Sequence, residues 1–225
     1  MLRHSKNFNI KKMYLIELHE MIEGGENENV EFKRKFSSPE KIAKEMIAFA
    51  NSKGGKMIFG VDDDKSIVGV ESEKGELELI STAARHYCEP EIEFKTDIML
   101  LRNKDLVVVT IEESNTKPHR LISDDEEKSE KVYIRFKDRS MLASKETVKI
   151  LRNSNADAHP VNITVGDIEK TLFDFLNKNE KITVKGFKKL VNISERRASR
   201  TLVNLVKAKV IRHNFMGKED YYTLI

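Results

Sequence analysis

The feature that most constrains the fold is a set of apolar residues at helical spacing, followed across two glycines by an unbroken apolar run. The helical set shares one face and consists of Ile42, Ala43, Met46, Ile47 and Ala50. Gly54-Gly55 ends this helix, and residues 57–61 then have the length and composition of a buried strand. Because a helix and a strand that both need burial must share a core, we expect helices packed on a sheet.

Weaker patterns on either side predict further elements. One helix is predicted to begin after Ser37 or Ser38 as its N-cap. Further helices are predicted around residues 15–22 and over residues 77–87 and 145–151. Strands are predicted over residues 29–34, 92–101, 106–111 and 132–136. The acidic turn at residues 62–65 predicts a hairpin between residues 57–61 and 67–70. Helices and strands alternate without a regular strand–helix–strand repeat. We therefore predict an α+β domain over residues 14–152.

The C-terminal quarter of the chain differs from the rest in charge. From residue 161 onward, 13 basic and 7 acidic residues give a net charge of +6, which leaves −3 for the preceding residues. A polar stretch that ends in proline separates the two parts, and it predicts a linker over residues 153–163. The charge difference and the linker together predict a second domain over residues 164–225.

The second domain is predicted to contain three helices and a terminal hairpin. Thr164 is expected to cap the first helix, residues 184–191 form the second, and Ser194 caps a third over residues 195–207. Residues 210–225 are typical of a hairpin with Gly217 at its tip. This pattern resembles the winged helix-turn-helix modules of microbial transcription regulators.

Composition excludes several classes of protein. No stretch approaches the length of uncharged apolar sequence that a membrane-spanning helix needs, so no membrane association is expected. The single cysteine, Cys88, cannot form an internal disulfide or a multi-thiolate zinc site, and a reducing cytoplasm is the expected location. Gly54-Gly55-Lys56 follows a helix and lacks the Ser or Thr of a phosphate-binding loop, so no P-loop for ATP is predicted.

Acidic residues near two strands are candidate site residues. Glu26 or Glu28 precedes the strand that carries Glu31, and Asp62 and Asp63 follow the next strand. If the strands are neighbours, these acids converge at one end of the sheet. Clustered carboxylates suit Mg²⁺ or Mn²⁺ and phosphodiester cleavage. The alternative is an ordinary solvated surface, because acids are common at strand ends and turns.

Two sequence blocks resemble the Schlafen AlbA-like domain family, also known as divergent AAA domains. The first runs from Val-Glu-Phe-Lys at residues 30–33 through Ala-Phe-Ala-Asn-Ser-Lys-Gly-Gly to Phe-Gly-Val-Asp-Asp at residues 59–63. The second is Val-Tyr-Ile-Arg-Phe-Lys-Asp-Arg-Ser at residues 132–140. The resemblance covers roughly residues 16–151. It implies a DNA-binding regulator or an ATP-binding protein, as many microbial members are described, or a nuclease like some animal relatives.

The nuclease alternative implied by the resemblance assigns three catalytic and metal-binding acids, Glu26, Glu31 and Asp63. Those animal enzymes pair two such domains into a clamp around RNA and add a zinc-binding element. This sequence has one copy and one cysteine, so it departs from that pattern. A homodimer would restore the clamp.

Basic residues supply the candidate nucleic-acid contacts. In the third C-terminal helix, Arg196, Arg197 and Arg200 stand where a recognition helix meets base edges. The other candidates for phosphate contact are Lys188, Lys189, Arg212 and Lys218, together with Arg135 and Arg139 in the first domain.

The favoured function is a DNA-binding transcriptional regulator, expected to be a homodimer without a cofactor. The alternative is an endoribonuclease that uses Mg²⁺ or Mn²⁺ on structured RNA. Docking of another protein is a third possibility, since winged helices also serve in protein association.

Overall fold

The computed structural model describes residues 13–125, 130–152, 163–216 and 219–225. Within these ranges the helices are α1 (Leu15–Gly24), α2 (Pro39–Asn51), α3 (Glu73–His86), α4 (Lys145–Leu151), α5 (Asp167–Asn179), α6 (Val184–Leu190) and α7 (Glu195–Lys207). The strands are β1 (Val30–Lys33), β2 (Gly55–Phe59), β3 (Cys88–Glu89), β4 (Phe94–Leu101), β5 (Lys104–Ile111), β6 (Arg120–Leu121), β7 (Tyr133–Phe136), β8 (Arg139–Leu142), β9 (Ile211–Phe215) and β10 (Asp220–Leu224). The presence of both helices and several sheets confirms the α+β prediction.

A four-stranded sheet with the order β1-β2-β5-β4 organises the N-terminal part, residues 13–152. β1 and β2 are parallel, whereas β2–β5 and β5–β4 are antiparallel. Helices cover both faces. Met57 and Phe59 of β2 pack in the same cluster as residues of α2 and α3, and Ile58 packs in the cluster that contains Leu18 of α1. Burial on both faces explains why β2 is an uninterrupted apolar run.

Gly54 makes the turn between α2 and β2 possible. Its φ of 75° lies in the left-handed region, and a Cβ atom at this position would lie 2.6 Å from the carbonyl oxygen of Ile111. Gly54 is therefore packed against the backbone at the end of β5.

The predicted hairpin between residues 57–61 and 67–70 forms only at its turn, where the Asp62 N–H donates to the Ser66 carbonyl and the Val68 N–H to the Gly60 carbonyl. Only an isolated antiparallel bridge joins Val61 to Ile67. The reason is that β2 already has β1 on one side and β5 on the other, so neither edge of β2 is open to a third strand.

The C-terminal part, residues 163–225, has its own apolar cluster. Leu172 and Leu176 of α5, Phe187 of α6 and Leu202 of α7 pack with Tyr222 of the β9–β10 ladder. The first helix begins later than predicted, because its N-cap is Gly166 and not Thr164. The Glu169 carboxylate accepts a hydrogen bond from the Gly166 N–H at 3.0 Å, which closes this end of the helix. The predicted linker, residues 153–163, lies outside the described residues except for Ile163.

Candidate nucleic-acid interface and acidic cluster

The arginines of α7 form an exposed set on one side of the helix. Ser194 caps the helix, and its hydroxyl accepts a hydrogen bond from the Arg197 N–H at 3.2 Å. Ala198, Leu202 and Leu205 face the core, and Arg196, Arg197 and Arg200 are exposed. Their guanidinium groups form no ion pair with any of the residues that the structure describes. Three cations on one helix are therefore available to an anionic partner.

Two elements beside α7 carry the other candidate cations of this part. Lys188 and Lys189 are exposed at the end of α6, where Lys188 lies 3.3 Å from the carboxylate of Glu195. Arg212 is exposed on β9. Lys218, at the predicted hairpin tip, lies outside the described residues.

A buried carboxylate attaches the hairpin to α4. Asp220 lies 2.8 Å from Nε2 of His213 and accepts hydrogen bonds from the hydroxyls of Ser144 and Thr147. Burial alone would raise the pKa of Asp220, but the hydrogen bonds from His213 and Ser144, with the attraction of His213, together lower it. Phe136 and Phe215 add an edge-to-face contact with ring centroids 5.4 Å apart. The hairpin is thus fixed on the N-terminal part.

The three predicted acids lie near one another at the end of the β1–β2 pair. Glu26 is exposed, but its carboxylate accepts a hydrogen bond from the Phe32 N–H at 2.8 Å. Burial of its carboxylate raises the pKa of Glu26, and the negative charges of Glu31 and Asp63 raise it further. The hydrogen bond from the Phe32 N–H and the positive charge of Lys33 lower this pKa, but by less. Asp63 is exposed in the turn after β2. The strands that carry these acids are neighbours, as the sequence analysis supposed.

Glu31 is already engaged by two cations. One carboxylate oxygen bonds to Lys33, and the other lies 3.0 Å from Nη1 of Arg135. Arg135 also reaches Glu45 at 3.1 Å, and Ser140 donates a hydrogen bond to the same Glu45 oxygen. Within the described ranges, no three acidic, histidine or cysteine side chains are arranged to hold a metal ion. The residues present do not fit a metal site, because both oxygens of Glu31 already contact cationic side chains, whose charges would repel a metal ion.

Arg135 was predicted to contact nucleic acid, and this prediction is wrong. Its side chain is only 2% exposed, and its guanidinium carbon lies 4.6 Å from the ring centroid of Phe49. Its Nη2 donates to the carbonyl oxygen of Asn27 at 2.8 Å, so the guanidinium group is directed into the protein. Arg139, by contrast, is exposed on β8.

Asn51 is a structural residue whose role the sequence analysis did not predict. It is 3% exposed, its amide donates to the carbonyl oxygens of His119 and Tyr133 at 2.9 Å, and its carbonyl oxygen accepts from the His119 N–H at 2.8 Å. Asn51 thereby joins α2 to two segments about 70 and 80 residues further along the chain. The only signal in the sequence was an amide within an otherwise apolar helix end.

Comparison with known protein families agrees with this architecture. The family described as Schlafen, AlbA_2 matches residues 26–144, which is more than half of the chain. The chain belongs to the Schlafen AlbA_2 family. The matched region begins at Glu26 and ends at Ser144, and it includes the whole β1-β2-β5-β4 sheet together with the Arg135 cluster.

Individual relatives of this Schlafen AlbA_2 chain match it only in part. An uncharacterized ATP-binding protein of Ureaplasma parvum is 32% identical over 126 residues, which cover 48% of this chain and 35% of the relative. The chain thus spans about a third of the length of that relative.

Among helices in the described residues, none is long and apolar enough to cross a membrane.

Two solved structures are similar to the chain. The DIP2311 protein of Corynebacterium diphtheriae has a TM-score of 0.46 and 12% identity, over 81% of this chain and 32% of the other. The N-terminal domain of a protein from Nitrosomonas europaea, described as related to the ATP-dependent DNA helicase RecG, has a TM-score of 0.40 and 21% identity, over 48% of this chain and 78% of the other.

Proposed function

We propose that this chain is a DNA-binding transcriptional regulator in which residues 164–225 form a winged helix-turn-helix domain and residues 14–152 a Schlafen AlbA-like domain. The observation that carries the proposal is the exposed, unpaired arginine set of α7. Arginine can donate two hydrogen bonds to a guanine edge in the major groove. Arg196 and Arg200 are four residues apart, so both can enter one groove.

The distribution of charge supports a polyanionic partner for the C-terminal part. Its net charge is +6, whereas the residues before it carry −3, so attraction to phosphate is concentrated where α7 lies. The comparisons support the proposal only as far as a nucleic-acid-related family. We further propose that the chain acts in the cytoplasm as a homodimer, whose two α7 helices would match a palindromic site.

The ribonuclease alternative has less support. Glu26, Glu31 and Asp63 lie close together, as that function requires. However, Lys33 and Arg135 already contact both oxygens of Glu31, and their positive charges oppose the binding of Mg²⁺ or Mn²⁺ there. Breaking the Glu31–Arg135 contact to admit a metal ion would leave the buried Arg135 with Glu45 as its one remaining carboxylate among the described residues, which is energetically costly.

Incubation of the purified chain with duplex DNA or transfer RNA, in Mn²⁺ or in EDTA, separates the two functions. We expect duplex DNA to be retained in EDTA without cleavage, and retention to weaken steeply with salt because phosphate contacts release counterions. Glu26→Gln together with Asp63→Asn should leave retention within about twofold, because both residues are exposed and neither belongs to the α7 surface. Cleavage of transfer RNA that requires Mn²⁺ and is lost in this variant would instead establish the nuclease.

A further inference from the structure

A second row of basic residues lies on α4, beside the arginines of α7. Lys145, Lys149 and Arg152 follow one another at spacings of four and three residues, so they share one face of the helix. Arg152 continues this face because its backbone keeps helical angles, with φ −57° and ψ −21°. All three residues are exposed. We call these residues the α4 basic row.

Hydrogen bonds fix the position of α4 relative to α7. Ser199 of α7 donates to the Glu146 carboxylate at 2.6 Å and accepts from the Lys149 ammonium at 3.1 Å. Ser199 stands three residues after Arg196 and directly before Arg200, so the Lys149 contact falls within one turn of both arginines. The Asp220 contacts to Ser144 and Thr147 hold the start of the same helix against the hairpin.

The α4 basic row also lines a large open cavity with a surplus of positive charge. The cavity has a volume of about 850 Å³, and its basic residues are Arg120, Lys131 and the three residues of the row. Its acidic residues are Glu89 and Glu130, and both are paired with Arg120, at 2.9 Å and 3.3 Å. Glu146, the one acid of α4, is directed to Ser199 instead. Among the described residues that line the cavity, no acid is therefore left to pair with Lys145 or Arg152.

We propose that the α4 basic row binds the phosphate backbone of the same DNA duplex that α7 contacts. The proposal rests on the proposed function and extends it, since it adds a contact surface from the N-terminal part. Lys145 and Arg152 are seven residues apart, which corresponds to about 10 Å along a helix axis. Each DNA strand carries one charge for about every 3.4 Å of duplex axis. The row is thus long enough to follow a few consecutive phosphates.

The salt dependence of DNA affinity tests this surface. The variant Lys145→Gln with Arg152→Gln removes two cations and leaves Lys149 in its bond to Ser199. We expect the slope of log affinity against log salt to fall by about 1.8, because each lost phosphate contact removes about 0.9. Affinity should fall for all duplex sequences alike, since backbone contacts carry no sequence information.

A matched control removes the same two residue types from α3. Lys74→Gln with Arg85→Gln has the same change in charge, and both residues are exposed on a helix that packs on the sheet. The control should keep the wild-type slope. If wild type and control bind DNA and the α4 variant has the same slope as they do, the α4 surface is refuted while the proposed function stands. If the wild type retains no duplex, the proposed function fails, and the α4 surface fails with it.

Discussion

Replacement of Arg135 by methionine should destabilise the fold by about 3 to 5 kcal/mol, the usual cost of removing one partner from a buried ion pair. The substitution keeps much of the volume beside Phe49 but leaves Glu31 and Glu45 without their shared cation. Their side chains are only 10% and 13% exposed, so water cannot replace the guanidinium. Urea unfolding followed by circular dichroism measures the loss.

Two further variants show whether the buried charge causes this loss. Arg139→Met removes an exposed arginine four residues away, and it should change the free energy of unfolding by no more than about 0.5 kcal/mol. Adding Glu31→Gln and Glu45→Gln to Arg135→Met should recover part of the stability, because the uncompensated charges are removed as well. A stability of Arg135→Met equal to that of Arg139→Met would show that Arg135 is not the buried centre of this cluster.

Replacement of Asn51 by leucine should lower the free energy of unfolding by about 3 kcal/mol or more. Each buried polar group left without its hydrogen bond costs about 1 to 3 kcal/mol. Leucine has a similar volume but leaves three backbone groups without a partner: the N–H and carbonyl of His119 and the carbonyl of Tyr133. Thermal unfolding should show a clear fall in Tm.

Asn115→Leu is the matched control for the Asn51 substitution. Asn115 is exposed in a loop near the same segment, so the same chemical change there should leave Tm nearly unchanged. Equal Tm values for the two variants would contradict the role assigned to Asn51 in joining α2 to the segments around His119 and Tyr133.

Elements with a strong local signal were predictable from the sequence. The α7 boundaries and the Ser194 cap agree with prediction, because the cap, the apolar face and the charged face all lie within about fifteen residues. The same holds for α2 and for the buried strand β2, although β2 begins and ends two residues earlier than predicted. The start of α5 was also signalled in the sequence, because Glu169 stands three residues after Gly166, the spacing of a capping box. The prediction of Thr164 as N-cap overlooked this signal.

Features that depend on distant partners could not be predicted in this way. Arg135 stands in a basic stretch and had the pattern of a surface residue, yet its partners Glu31 and Glu45 lie 104 and 90 positions away in the chain. Lys117 is similar, since it is 7% exposed and donates to the carbonyl oxygen of Ser52, 65 positions away. Periodicity identifies which residues need burial, but only the assembled sheet decides which charged groups are buried with them.

Equilibrium binding of a duplex to the Arg196→Ala, Arg200→Ala variant tests the DNA-binding function most directly. The duplex is first selected by the wild-type chain from a random pool, and affinity is then measured by fluorescence anisotropy in EDTA. Loss of two arginine contacts to bases, each worth about 1 to 3 kcal/mol, should weaken binding at least about 30-fold, whereas Lys74→Gln with Arg85→Gln should bind like the wild type. Equal affinity of the arginine variant and the wild type, or failure to select any duplex, would contradict DNA recognition by α7.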